Sequence, residues 1–138
     1  MSHPLHPALV HLPIASWSLA TAADLLGLVL GEPAWRFAGL LHAIGTLSAL
    51  VAMAAGFADL LALPAEHPAL RDAQRHLLWV SLAWSGYAAS LLLRVDGLSL
   101  RAPDTLALAL SAAAFAALAV AGWFGGRLVY EHGLRVRR

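Results

Sequence analysis

Four stretches of this chain run almost without a charge, at roughly 12–30, 37–63, 77–93 and 105–126. A bilayer core of about 30 Å needs about 20 helical residues, and each stretch is near that length. In hydrocarbon only helices and closed barrels satisfy every backbone group, and these stretches lack the alternation of barrel strands. The pattern predicts an all-α membrane protein with four transmembrane helices in one domain, 1–138. Its short loops predict an up-down bundle in which consecutive spans are antiparallel, built as two tandem helical hairpins.

Composition agrees with the pattern. Of 138 residues 60% are hydrophobic and 12% charged, with a mean hydropathy of +0.72, and a soluble core of that proportion would lack polar surface to cover it. The first ten residues hold no Lys or Arg and the first stretch outlasts a signal-peptide core, so it reads as mature structure. With no cysteine there are no disulfides, thiolate metal sites or covalent haem attachment. A net charge of +1 gives no case for a nucleic-acid partner.

Both termini and the 64–75 loop fall on one face, side A; the 31–36 and 94–104 loops fall on the other, side B. Arg71, Arg75, Arg127, Arg135, Arg137 and Arg138 are on side A, against Arg36, Arg94 and Arg101 on side B. This bias predicts a cytoplasmic side A, with both termini inside. His6-Pro7-Ala8-Leu9 recurs as His67-Pro68-Ala69-Leu70, and His11-Leu12 as His76-Leu77, which suggests a duplicated hairpin at an offset near 65. Such a repeat would have its axis along the membrane normal and would present His11 and His76 to each other.

Most of the histidines fall at side A. His11 stands two residues before Pro13, so the first helix is expected to begin near Pro13 with His11 in an extended lead-in. His76 opens the third span on a stripe with Ala83, Tyr87 and Arg94 that should face the interior. Gly125 and Gly126 are expected to end the last helix, so that Tyr130 and His132 return to the same mouth. Asp59 adds a carboxylate at similar depth. His11, His76 and His132 therefore form a candidate cofactor-binding set, and His6, His11, Asp59, His76 and His132 a candidate metal set. Neutral imidazole suits Zn, Fe, Cu or Ni and serves as a haem axial ligand. No His-Glu-x-x-His spacing is present, so every ligand pair would be long-range. The plainer reading is that each histidine bonds a helix-end carbonyl or a lipid head group; His3 and His67, beside prolines, read as solvated.

Toward side B, Asp24, Arg94 and His42 form a second polar group. Charges at membrane depth are rare and normally paired, so an Asp24–Arg94 ion pair locking spans one and three is expected. His42 shares a face with Gly45, Thr46, Ala49, Met53 and Gly56, small residues that permit close packing, and reads as a hydrogen-bonded packing residue. Trp35, Trp79 and Trp123 fall near interfaces as anchors, whereas Trp84 and Tyr87 could flank a buried group.

The His6-to-Ile14 segment His-Pro-Ala-Leu-Val-His-Leu-Pro-Ile, the Gly56-x-x-Asp59 motif, His76 after an arginine, and the Gly122-Trp123-x-Gly125-Gly126-x-Leu128-Val129-Tyr130-x-His132-Gly133 ending resemble the predicted membrane proteins of domain of unknown function 2231. The resemblance covers essentially the whole chain and implies a bacterial four-helix inner-membrane protein, sometimes encoded near redox proteins. Leu12 stands where that family usually has phenylalanine, and His42 departs from its pattern.

The leading expectation is a non-covalent haem b protein that carries electrons within the membrane. His11 and His76 would be its axial pair, with His132 beside them. The alternatives are a Zn- or Fe-binding membrane protein and a structural or accessory subunit. Expected partners are the lipid bilayer and redox proteins, with a homodimer left open. Ser16 and Ser81 lack any nucleophile-elbow context, so hydrolase chemistry is not indicated.

Overall fold

The computed structural model describes residues 5–134, so His3, Arg135, Arg137 and Arg138 lie outside the described residues. A short helix α1 (Leu5–Leu9) leads into α2 (His11–Leu30), α3 (Glu32–Leu61), α4 (Leu70–Leu92) and α5 (Thr105–Tyr130). Between α4 and α5 lies an antiparallel hairpin, β1 (Val95–Asp96) and β2 (Ser99–Leu100). Helices α2, α3 and α5 are long and apolar enough to cross a membrane.

Local chemistry explains the breaks. Gly31 alone turns α2 into α3 with φ 70°, a left-handed conformation that favours glycine. Pro33 follows in the first turn of α3, where a missing N–H removes no helical bond. Asp104 caps α5, its carboxylate accepting the Ala107 N–H at 2.8 Å. Two expectations fail here. His11 is helical rather than extended, because Pro13 sits within the first turn of α2 and costs that helix no hydrogen bond. Nor do Gly125 and Gly126 end the last helix: α5 continues to Tyr130, and the positive φ falls at Gly133.

Packing within the α2–α3 and α4–α5 hairpins is the most extensive, and the inside of the bundle is lined by small residues. Ala20, Ala38, Ala83 and Ala107 are fully buried, while Leu28, Val29, Leu47, Leu61 and Leu106 face outward. Small residues between helices and large apolar ones outside suit a lipid surround, where close backbone approach rather than water exclusion holds helices together. The two largest buried rings, Trp17 and Tyr87, stack across the axis at 4.8 Å and 9°.

The hairpins repeat each other, at a register longer than the sequence motifs suggest. His6 bonds the Ala52 carbonyl and lies on Gly56; His76 bonds the Ala121 carbonyl and lies on Gly125. Trp17 packs on Gly45, and in the second hairpin Gly86 lies close to Ala114. Equivalent residues are thus 69 or 70 apart (56 to 125, 6 to 76), and the partner of His76 is His6, not His11.

A methyl group at Gly45 would stand 2.6 Å from the Trp17 ring. Gly45→Ala is expected to push the indole off Tyr87 and cost about 1–3 kcal/mol. The measurement is the unfolding midpoint in detergent, and an unchanged midpoint would show that the stack has room to shift.

Candidate functional site

At the side-A end, α1 and the start of α4 bring two imidazoles together. The His6 and His76 ring centroids are 6.3 Å apart with their planes at 81°. His6 Nδ1 lies 2.8 Å from the Ala52 carbonyl, and His76 Nδ1 lies 2.8 Å from that of Ala121. A carbonyl only accepts, so in each ring Nδ1 carries the proton and the neutral ring keeps its lone pair on Nε2. No described residue hydrogen-bonds either Nε2. The glycines make this placement possible: a methyl at Gly56 would stand 2.8 Å from His6 Cε1, and one at Gly125 3.2 Å from His76 Cε1.

These rings border a groove of about 590 Å³ that also touches Asp59, Met53, Val80 and Leu128. A second recess of about 290 Å³, sharing both histidines, reaches inward to Trp17 and Leu118. Apart from the imidazoles and Asp59, the groove walls are mainly aliphatic. Their size suits a ligand large and apolar on most of its surface.

The other expected ligands are elsewhere. His11 is exposed, its Nδ1 3.4 Å from the carbonyl of Ala8 one turn back. His132 turns to Asp72 at 3.0 Å, and Tyr130 is exposed to solvent or lipid. His67 Nδ1 accepts the Ala69 N–H at the start of α4. The sequence places His6 in the candidate metal set but not in the cofactor-binding set, because periodicity cannot choose between His6 and His11 across the break at Val10.

Asp72 gathers His132, Arg127 at 3.3 Å and Arg75 at 3.6 Å, with Arg127 also bonded to Glu131. Asp72, Glu131 and His132 are the group of acidic and imidazole residues, among those described, whose ligand atoms come within 4.8 Å of one another. Two guanidiniums already compensate the Asp72 charge, so we read the group as a clasp holding the end of α5 against the start of α4.

Toward side B a polar seam runs through the interior. Asp24 takes both Arg94 terminal nitrogens, at 2.5 and 2.9 Å, and the His42 Nε2–H at 3.0 Å. Arg94 also donates to the Ser90 carbonyl and hydroxyl, and Ser90 to the Ala107 carbonyl. Thr21 joins Tyr87 and Ser111 at 2.8 and 3.2 Å. The ion pair and the packing role of His42 are as the sequence implied. Trp84 does not flank a buried group with Tyr87: its indole donates to the Thr46 carbonyl at 3.1 Å, and Trp17 takes the place against Tyr87. Arg94 is buried, so of the side-B arginines counted for orientation only Arg36 and Arg101 reach the surface.

Breaking a buried pair leaves an uncompensated charge, so Asp24→Ala or Arg94→Ala is expected to cost about 3–5 kcal/mol. Replacing both by leucine should cost far less than the sum of the singles, and strict additivity in that double-mutant cycle would show the two charges to be uncoupled.

Asp72 precedes the apolar run of α4, and the His132 hydrogen bond, aided by Arg127, holds its carboxyl below the usual carboxylate range. A lowered native pKa makes the clasp's contribution complete above the ordinary carboxylate value and loses it as pH falls through the native one. Tryptic cleavage at Arg127 should therefore accelerate on acid pre-treatment with neutral quenching only if release is slow to reverse. Hydrogen exchange at residues 127–134, read directly against pH, is the cleaner measurement. Asp72→Asn should remove the acid dependence.

Residues 2–138 match the family model described as predicted membrane protein (DUF2231). No curated protein and no solved structure matches the chain. Three spanning-length helices, a bundle with small residues inside and large apolar ones outside, and this end-to-end match lead to one conclusion: the chain belongs to the DUF2231 family of predicted membrane proteins.

Proposed function

We propose that this is a four-span protein of the bacterial inner membrane, with side A cytoplasmic, that binds haem b between His6 and His76 and passes single electrons. α4 is the fourth span in this reading. It runs parallel to α2 from the histidine pair to the ion pair; toward its end Tyr87, Ser90 and Arg94 are buried against the other helices, while Ser81 and Ser85 bond carbonyls of their own helix.

The observation that carries the haem reading is the tautomer and spacing of the pair. Ligating histidines usually donate their second ring N–H to a carbonyl or carboxylate, which fixes the ring and bares the ligating nitrogen. With centroids 6.3 Å apart, the two imidazoles are close enough that His6 and His76 would hold one metal centre between them. A zinc or iron ion held by protein alone needs three or more ligands; neither His11 nor His132 comes to the pair, and Asp59, though it borders the groove, does not gather with both imidazoles within 4.8 Å. A porphyrin brings its own four, requires only two axial imidazoles, and fits aliphatic walls. His6 thus replaces His11 as the proposed partner of His76.

Bound haem would supply one-electron chemistry. The chain's own residues orient the two rings through Ala52 and Ala121 and keep the groove mainly apolar.

Protein purified from haem-replete cells should show a Soret band and a reduced-minus-oxidised spectrum of six-coordinate low-spin haem. His6→Ala and His76→Ala should each abolish that signature, while His11→Ala keeps it. Gly56→Ala, with the closer clash, should perturb it more than Gly125→Ala. A colourless wild-type protein would sink the proposal, and stoichiometric zinc in its place would favour the metal-binding alternative.

A further inference from the structure

Three side-chain atoms inside the bundle have no hydrogen-bond partner among the described residues: Trp17 Nε1, His42 Nδ1 and Thr46 Oγ1. Trp17 and His42 are essentially inaccessible, and Thr46 is only 8% exposed. An orphaned buried polar group costs about 1–3 kcal/mol, so three in one bundle call for a common cause.

The three residues surround Gly45. The edge of Trp17 bearing Nε1 lies over Gly45, 2.7 Å from where a methyl would stand. His42 and Thr46 flank Gly45 on α3, one helical turn apart and on the same face as each other. The His42 ring is also 5.3 Å from Tyr87, the ring on which Trp17 stacks.

Their chemistry is complementary. Trp17 Nε1–H can only donate. His42 spends its Nε2–H on the Asp24 carboxylate, which already pairs with Arg94, so Nδ1 of the neutral ring can only accept. The Thr46 hydroxyl can do either. What satisfies all three is a small molecule that both accepts and donates, and a buried water makes about three such bonds.

We propose that Trp17, His42 and Thr46 bind an internal water beside Gly45. The water accepts from the indole, donates to His42 Nδ1 and exchanges a bond with Thr46. It extends the polar seam from Asp24 and His42 to Trp17, the residue that lines the inner recess of the histidine groove. Both nitrogens of His42 are then engaged, one on a carboxylate and one on water, an arrangement through which a proton can be exchanged with the ion-pair end of the bundle. This inference does not depend on haem: the three atoms are orphaned whatever occupies the groove.

The test uses the full chain in lipid nanodiscs. Magnetisation transfer from water to the Trp17 indole N–H, assigned with Trp17→Phe, is expected on the timescale of a resident water; no transfer overturns the proposal. Thr46→Val supplies an independent sign. If water binds there, the variant loses a hydrogen bond and its unfolding midpoint falls; if the place is dry, the variant removes an orphaned hydroxyl and the midpoint rises, which also overturns it.

Discussion

The Asp24–Arg94 ion pair fixes the register on which the rest of the bundle depends. Two charges in an apolar interior cannot stay apart, and their two-pronged contact tolerates little sliding, since one residue of slip moves a helix about 1.5 Å. The pair therefore sets α2 and α4 parallel and level. His6 lies 18 residues before Asp24 and His76 lies 18 before Arg94 (24−6, 94−76), so both stretches have the same length although the first is broken at Val10. The same contact that aligns the charges thus brings the two imidazoles level, about 27 Å away at the opposite end. The charged seam and the histidine groove therefore sit near opposite ends of the bundle, a separation similar to the thickness of a bilayer core.

The repeat shows what each half keeps and what it changes. Histidine, glycine and alanine recur where both hairpins do the same work: His6 and His76, Gly56 and Gly125, Ala52 and Ala121, Ala38 and Ala107. Near the axis the halves differ in complementary ways. Asp24 is matched by Arg94, Trp17 by Tyr87, and His42 by Ser111. Two identical hairpins would set carboxylate against carboxylate and indole against indole across the axis. Joining them in one chain lets each position be paired with a different residue, giving a neutral ion pair and an offset stack of unlike rings.

Three of the four expected spans, α2, α3 and α5, and the ion pair were legible in the sequence because each rests on a strong penalty. Long uncharged runs have few soluble uses, and Asp24 and Arg94 at depth had to find each other. The choice of histidine was not legible. The literal repeats, His-Pro-Ala-Leu and His-Leu, pointed to an offset near 65, but the structural offset of 69 or 70 is carried mostly by alanine, leucine, valine and glycine, which recur in any apolar helix. Which of His6 and His11 faces inward depends on a break at Val10 that no proline or glycine marks, since Pro13 is absorbed in the first turn of α2. Gly125 likewise looked like a helix stop, although its lack of a side chain serves instead to seat the His76 ring.

The contrast between the two polar regions indicates where chemistry resides. In the seam, Asp24, Arg94, Ser90, Thr21, Tyr87 and Ser111 spend their polar groups on one another or on backbone carbonyls, so these groups hold one another in place. In the groove, each imidazole is anchored by one nitrogen to a mid-helix carbonyl, a carbonyl that already serves its own helix and gains only a second, weaker bond. Helix stability does not require that bond, and glycine at the facing position gives up side-chain packing to allow it. Two pre-oriented rings, each with Nε2 hydrogen-bonded to no described residue and each seated at the expense of local packing, are the arrangement expected of groups held ready for a ligand rather than of groups holding a fold together.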